Sequence, residues 1–516
     1  MSFKLHELLK FKDIVIQCHN IPDADTLSSA YGLFCYFFYH GKKVRIVYAG
    51  PAQINKVNMK LMLEYMKDVQ VEYVDKSFKC NELLITVDCQ YGAANVDYLE
   101  APHVAIVDHH QIDPSKKKVD YELILSTYGS CSSVVYQMLV NEKFPVNTLN
   151  VEKILPTMMY YGLYMDTCEF TELRHPADKD ARDELEVDEN IFLTLQNNNM
   201  SLQELQIIGA ALNNCFYDPE EKLGIVHSPA CDANILGVVS DFVIRVSGVD
   251  CCVVYFTMPE KDLIKLSIRS VSKEFKASDI AQEFTSGVGN GGGHLHKAGG
   301  AIRLRKYEET YPDKNLPDFF RERFNVFINS CDLVYYDKFA VTDDFRMYRK
   351  RELVLGYVKT EDLAELGANL LIRTFEGDVT VKSDPETYIM FGLDGEPYPI
   401  TREKFLQKYS TDVDESVPYD IRDQQYVNKI TNIQTSQIYE ISISVMHRCR
   451  TKSYSICAKQ LQRPTKVFTR WQYEGYMFGE PGDFLASSLT DQQDIYVIKK
   501  DLFARSYQSL PSDHQD

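Results

Sequence analysis

His19, Asp23 and Asp25 form a His-x3-Asp-x-Asp pattern, Asp88 ends an apolar run, Asp108, His109 and His110 are consecutive, and Asp166 precedes Thr167. Carboxylates and imidazoles in such sets bind divalent cations. Asp23, Asp25, Asp88 and Asp166 brought to one place would repel and stay partly protonated without positive charge among them. Two cations meet that need. Along the first turn alternate side chains point into one pocket, so Asp23 and Asp25 can face neighbouring ions. The mixed nitrogen and oxygen donor set favours Mn2+ over Ca2+ or an all-oxygen Mg2+ site, with Fe2+, Co2+ and Zn2+ also accommodated. A pair of such ions about 4 Å apart acidifies a bridging water and clamps phosphoryl oxygens during in-line attack, which is phosphoesterase chemistry.

The runs Ile14-Val15-Ile16, Leu83-Leu84-Ile85 and Val104-Ala105-Ile106-Val107 have the length and branching of buried parallel strands. Polar residues directly after such strands collect at the carboxyl edge of one sheet, where α/β folds bind ligands. Residues 1–190 alternate strand-like segments (near 13–19, 43–48, 82–88 and 103–108) with helix-like ones (near 26–40, 130–142 and 151–164). That alternation predicts an α/β lobe with a doubly wound parallel sheet. Residues 191–220 read as a helical linker, with Ser201 capping the apolar-periodic stretch from Leu202 to Leu212. A smaller mixed α/β lobe is expected over 221–305, with strands near 223–227, 251–257 and 263–269 and a helix near 277–285. From Gly287 to Gly300 the chain has seven glycines, which predict a loop rather than a helix or a packed strand.

Residues 306–350 read as a connector, and from 306 onward short strands, aromatics and turns are expected. Sliding this β-rich C-terminal region against itself by 98 residues places Glu376-Gly377, Tyr398, Ile400, Phe405 and Tyr409 on Glu474-Gly475, Tyr496, Ile498, Phe503 and Tyr507. This is a tandem repeat, with modules over 351–412 and 438–510. Trp471, Tyr473, Tyr476 and Phe478 could stack on bases, although packing inside a small β module is the expected role of such aromatics.

At 516 residues the chain exceeds a single core and should divide into two to four domains. With 45% hydrophobic and 25% charged residues it is globular. No apolar run reaches the roughly 18 residues of a membrane span, and the first residues lack a signal-peptide core, so a cytoplasmic protein without a membrane partner is expected. Thirteen cysteines without a CxxC pair suit reduced thiols. A net charge of −18 disfavours wrapping duplex nucleic acid and leaves room for a short anionic substrate held by metals.

These motifs resemble the DHH phosphoesterase superfamily over about residues 10–305. The superfamily includes RecJ exonucleases, nanoRNases, cyclic-dinucleotide phosphodiesterases, exopolyphosphatases and family II inorganic pyrophosphatases. The resemblance implies that His19 and Asp23 bind one metal, that Asp25 and His109 bind the other, and that Asp88 and Asp166 serve both. Asp108 would orient a histidine, and His110 would face the substrate or the attacking water, so Asp88, Asp108 and His110 are the implied catalytic set. The usual Pro-Asp-Gly-Asp-Ala-x-Gly-Ser is altered at Ala24 and Ser28, and neither position is a ligand.

In the second lobe, Ser267-Ile268-Arg269-Ser270 upstream of Gly291-Gly292-Gly293-His294-Leu295-His296-Lys297-Ala298-Gly299 resembles the DHH-associated domain. A glycine-rich turn exposes N–H groups to a phosphate, and a guanidinium can fork onto its oxygens. Arg269, Ser270, Gly292, Gly293, His294 and His296 are therefore the implied substrate contacts. Family II pyrophosphatases carry a different second lobe, and about 100 residues between Asp166 and Arg269 match nanoRNase-like proteins rather than the longer RecJ arrangement. The implied activity is hydrolysis of short single-stranded oligonucleotides or of nucleotide phosphates such as 3′-phosphoadenosine 5′-phosphate. The alternatives are a cyclic- or linear-dinucleotide phosphodiesterase, an exopolyphosphatase, and a non-enzymatic nucleotide-binding regulator. A homodimer, and a partner for the C-terminal modules, are compatible with the sequence.

Overall fold

The computed structural model describes residues 3–510 apart from 114, 150, 174, 199, 232, 272–274, 294–295, 330, 376, 422–425, 471–475 and 490. The chain forms two compact units, one made of residues 1–200 with 352–452 and the other of 201–351 with 453–516.

The first unit is built on six parallel strands, β1 (Asp13–Gln17), β2 (Lys43–Tyr48), β3 (Val71–Tyr73), β4 (Leu83–Val87), β5 (His103–Asp108) and β6 (Tyr121–Ile124), in the order β3-β2-β1-β4-β5-β6. β4 is buried along its whole length, as a strand covered on both faces must be. The order reverses between β1 and β4, and a crevice opens at the carboxyl ends of strands at such a point. The helices are α1 (Ala24–Tyr39), α2 (Val57–Tyr65), α3 (Cys131–Asn141), α4 (Ile154–Asp166), α5 (Pro176–Glu184) and α6 (Glu189–Asn197). A Cβ at Gly162 of α4 would stand 2.4 Å from Ser132 Oγ and 2.7 Å from Ser28 Oγ. Small residues thus let α1, α3 and α4 pack closely. Ser28, which stands where the resembled family has glycine, is buried with its hydroxyl 2.6 Å from Ala24 O and from Met158 O.

The second unit begins with α7 (Leu202–Leu212), where Ser201 and Glu204 form the reciprocal cap. Its sheet contains β7 (Cys215–Asp218), β8 (Leu223–His227), β9 (Cys251–Met258), β10 (Leu263–Ser270), β11 (Gly289–Gly293) and β12 (Lys297–Arg303), in the order β11-β12-β10-β9-β8-β7. Only β8 and β9 pair in parallel. The remaining elements here are α8 (Ala233–Val243), α9 (Ala277–Thr285), α10 (Leu304–Thr310) and α11 (Leu316–Ile328). Among the described residues no helix is long and apolar enough to cross a membrane.

Two sequence expectations are corrected here. The glycine-rich stretch expected to be a loop is a hairpin of two packed strands. A Cβ at Gly289 would lie 2.0 Å from Ala301 O, and one at Gly291 would lie 2.4 Å from Ala281 O on α9. These glycines serve close backbone approach. The region after 306, expected to turn at once to short strands, first forms α10 and α11. Phe319, Phe320 and Phe324 are buried against the second core at helical spacing, and Asn315 caps α11 ahead of a proline in its first turn.

The tail continues as β13 (Asp332–Tyr335), β14 (Arg346–Lys350), β15 (Val354–Lys359), α12 (Thr360–Leu363), β16 (Asn369–Thr374), β17 (Gly377–Lys382), β18 (Thr387–Phe391), β19 (Pro397–Thr401), α13 (Arg402–Lys408), β20 (Tyr409–Ser410), β21 (Asn428–Asn432), β22 (Ile438–Ile441), β23 (His447–Thr451), β24 (Ser455–Gln460), β25 (Thr465–Phe468), β26 (Met477–Gly479), β27 (Phe484–Ser488), β28 (Ile495–Ile498), α14 (Lys500–Ser506) and β29 (Tyr507–Ser509). Two five-stranded sheets, β19-β18-β15-β23-β20 and β28-β27-β24-β14-β29, have matching plans. The repeated residues build their cores, because Phe405 stacks on Tyr409 with centroids 5.4 Å apart and Phe503 stacks on Tyr507 at 5.1 Å. Glu376, Glu474 and Gly475 of the repeat lie outside the described residues. The first strand of each copy belongs to the sheet of the other, because β14 pairs with β24 while β23 pairs with β15. Tyr476 packs on Phe468, and Phe478 packs edge-on against Phe275. Trp471 and Tyr473 lie outside the described residues.

Replacing Gly289 by alanine should destabilise the second unit by about 1–3 kcal/mol through overpacking. At Gly292, where an added Cβ meets nothing within 4 Å, alanine should change stability by less than about 0.5 kcal/mol. Thermal melts of the two variants check the contrast.

Candidate metal centre

The crevice between β1 and β4 gathers groups from four parts of the first unit. His19 and Asp23 follow β1, and Asp25 lies in the first turn of α1. Asp88 follows β4, Asp108 ends β5 with His109 and His110 behind it, and Asp166 ends α4. His19, Asp23 and Asp88 offer ligand atoms within 4.8 Å of one another, as do Asp25, His109 and Asp166, and Asp88, His109 and His110 form a third such trio. His19 Nε2 stands 3.7 Å from both Asp23 Oδ2 and Asp88 Oδ2. His109 Nε2 stands 3.4 Å from Asp88 Oδ1, 3.3 Å from Asp166 Oδ2 and 4.0 Å from Asp25 Oδ2. Asp88 sits between the two groups, in a left-handed backbone conformation (φ 58°) that is uncommon for a non-glycine residue.

His109, Asp25, Asp88 and Asp108 are each held by a neighbour. The His109 Nδ1 proton goes to the Tyr128 carbonyl at 3.3 Å, which turns the Nε2 lone pair toward the carboxylates. Both Asp25 oxygens accept N–H groups from the start of α3, from Cys131 at 2.7 Å and Ser132 at 2.8 Å. The Thr26 hydroxyl donates to Asp88 Oδ2 at 2.5 Å. Asp108 accepts from His110 Nδ1 at 2.8 Å, and its second oxygen accepts from Gln90 Nε2 at 2.7 Å. Gln90 also bonds Gln111 O and the Asp113 N–H, tying the loop after β4 to the loop after β5. Thr26, Gln90, Tyr128 and the start of α3 carry no motif signal. The Ser130 cap, which accepts from the Ser133 N–H, is the one cue to the α3 terminus that the sequence displays.

The electrostatics fit bound cations. Asp88 Oδ1 and His109 Nε2 are buried polar atoms without a hydrogen-bond partner, which is unusual and is what ligands turned toward an ion require. Burial, together with Asp88 and Asp23, raises Asp166 to about 6 against the opposing His109. Burial, Asp88 and Asp166 raise Asp25 well above the ordinary carboxylate range. Burial would lower both histidines, yet Asp23, Asp88 and Asp25 push His19 up to about 9, and Asp88, Asp166 and Asp25 hold His109 well above its usual value. Without metal, histidine protons neutralise the cluster. Cys89 and Cys131 nearby are raised by burial and by Asp108, Asp88 and Asp25, which keeps them neutral thiols in the absence of a cation. All thirteen cysteines are free.

In the second unit, Arg269, which the sequence implies as a phosphate contact, already has partners. Arg269 pairs through Nε with Asp241 at 2.6 Å, through Nη1 with Ser267 Oγ and Ile268 O, and through Nη2 with Gly237 O. A phosphate reaching it must compete with the Asp241 carboxylate. Ser270 is buried, its hydroxyl donating to Phe275 O, and its carbonyl accepts from His296 Nδ1 at 2.7 Å. Gly292 has open space beside its Cα, whereas Gly293 (φ 154°) is pressed against Ala298. His294 lies outside the described residues.

Residues 13–163 match the family model described as DHH family, N-terminal domain, and residues 222–322 match that described as DHHA1 domain. Among solved structures, the chain is similar to an exopolyphosphatase-related protein from Bacteroides fragilis (18% identity, TM-score 0.46, covering 62% of this chain and 94% of that one). It is also similar to RecJ in complex with Mn2+ from Thermus thermophilus (13%, 0.36, 77% and 69%) and to a pGpG-specific phosphodiesterase from Vibrio cholerae (10%, 0.29, 60% and 98%).

Because His19 and His109 hold protons until a metal displaces them, and Asp166 titrates near 6, metal binding should release protons. Affinity should therefore fall as pH drops from about 9 to about 6, by roughly tenfold per pH unit for each proton displaced. Mn2+ titrations by calorimetry in buffers of different ionisation enthalpy check both the slope and the proton count.

Proposed function

We propose that this chain, which belongs to the DHH phosphoesterase superfamily and carries a DHH and a DHHA1 domain, is a metal-dependent hydrolase of short single-stranded oligonucleotides or nucleotide phosphates. The observation that carries the reading is a pair of ligand trios, His19-Asp23-Asp88 and Asp25-His109-Asp166, adjoining where Asp88 Oδ1 stands 3.4 Å from His109 Nε2, both buried and without hydrogen-bond partners. His19, Asp23 and Asp88 would hold one divalent cation, and Asp25, His109 and Asp166 the other, with Mn2+ the ion the mixed donors suit best. Such ions supply Lewis acidity and charge neutralisation at the phosphoryl group.

The chain's own residues do the rest. Asp108 fixes the His110 proton on Nδ1, which assigns Nε2 to proton exchange with the attacking water or the leaving oxygen. Gln90 holds Asp108 in place from the other side. Buried Asp25 and Asp88 are kept in position by backbone N–H groups and the Thr26 hydroxyl, so little reorganisation is needed when substrate arrives. In the DHHA1 domain we assign a phosphate contact to the open backbone at Gly292, with Gly293 and His296 nearby in the chain. Ser270 fixes the His296 ring, and Arg269 joins where a phosphate displaces Asp241.

The test is release of mononucleotide or phosphate with Mn2+ from 3′-phosphoadenosine 5′-phosphate, from di- to pentaribonucleotides, from linear and cyclic diadenylate, and from polyphosphate. Short RNA or the bisphosphate should turn over. Asp88→Ala should abolish turnover, and Asp108→Asn should lower kcat by about 10²-fold or more through loss of proton transfer at His110. Preferential cleavage of polyphosphate, or activity indifferent to Asp88→Ala, would defeat the proposal.

A further inference from the structure

The loop from Tyr128 to Ser132 carries two of the candidate ligands without containing one. It holds His109 through the Tyr128 carbonyl and Asp25 through the N–H groups of Cys131 and Ser132. The loop is in turn pinned by the start of α5. Asp178 Oδ2 accepts the Gly129 N–H at 2.8 Å, and the His175 ring stacks face to face on the Tyr128 ring, with centroids 4.2 Å apart and planes 11° apart. His175 accepts the Ala177 N–H on Nδ1, so its imidazole is neutral, in keeping with burial lowering it to about 3. The stack is therefore between two uncharged rings.

Helix α5 is held in turn by the tail segment of residues 352–452, which lies in the same compact unit. Phe375 and Tyr426 close on His175 with centroids 5.1 and 5.0 Å away. The Tyr426 hydroxyl donates to the buried Asp180 at 2.7 Å. Arg373 bonds Asp180 and Asp183, Lys429 bonds Glu184, and Lys179 bonds Asp378 at 2.6 Å. Of these carboxylates only Asp180 is buried, while Asp183, Glu184 and Asp378 are more than a third exposed, so the pairs to Asp180 are the ones shielded from water.

We propose that the tail segment of residues 352–452 is part of the metal site's positioning apparatus. Phe375 and Tyr426 act as positioning residues that hold His109 and Asp25 in place through His175 and Tyr128. The inference rests on the metal reading above and extends it to residues more than 200 positions away in the chain. The tail is then needed for a correctly shaped site, whatever else it binds.

The test uses the full-length protein titrated with Co2+, following the visible ligand-field spectrum and the heat of binding, for wild type, Phe375→Ala/Tyr426→Ala, Phe375→Leu and Tyr426→Phe. The double variant should lose about tenfold in affinity at one of two sites, the scale of losing an outer support, with a shifted Co2+ band. Phe375→Leu should move both in the same direction by less. Tyr426→Phe, which keeps the ring on His175, should retain the wild-type spectrum. A purely structural role would lower the folded fraction and leave the spectrum of the folded protein unchanged, and that result would overturn the proposal. If the double variant does not fold, Phe375→Leu decides: an unchanged spectrum and affinity overturn the proposal. Wild type that binds no Co2+ would instead overturn the metal reading itself, before any substitution is compared.

Discussion

Like charges resist being buried together, and this chain buries Asp25 and Asp88 in one crevice with Asp166 at its side. The surrounding fold can be understood as the means of holding them there. The parallel sheet sets β1, β4 and β5 side by side, so that residues separated by long stretches of sequence leave neighbouring strand ends. The start of α3 gives two N–H groups to Asp25, where the helix dipole favours negative charge. The imidazoles bring protons that metal ions can replace. Each device lowers part of the repulsion, and the part left over suits the site to cations.

Much of this was legible in the sequence because the carriers of the chemistry follow strands that need no tertiary information to recognise. Ile14 to Ile16, Leu83 to Ile85 and Val104 to Val107 read as buried strands, and the acidic and histidine residues behind them had one sheet edge to share. What was not legible depended on close approach and on partners distant in sequence. The glycines from 289 to 293 read as freedom, whereas they serve tightness, because a strand can lie on α9 only where side chains are absent. The helices after 304 were hidden because their apolar side is made of phenylalanines, which strand propensity also favours. Arg269 looked available until Asp241, 28 residues earlier, was found beside it. Gln90 is one glutamine among many until its three partners are known.

The tail repeat illustrates the same limit at larger scale. Tyr398, Phe405 and Tyr409 match Tyr496, Phe503 and Tyr507 because each set fills the same small core. That similarity announces the fold of a copy and says nothing about which strand completes which sheet. The Arg373, Tyr426 and Lys429 contacts that fasten one copy to α5 have no counterpart in the repeated pattern, since they answer to Asp180, Asp183 and Glu184 rather than to the module itself.

The exchange of β14 and β23 also bears on how the protein is made. On the ribosome β15 emerges nearly a hundred residues before β23, so the first tail sheet waits with an open edge until β23 is synthesised. β14 must likewise remain unpaired until β24 follows it. Such long-range pairings are slow to form, and an open strand edge invites wrong partners while it lasts. The first unit needs residues 352–452, which are made after residues 201–351 of the second, and the second needs 453–516 in its turn. Synthesis of the two units is therefore interleaved.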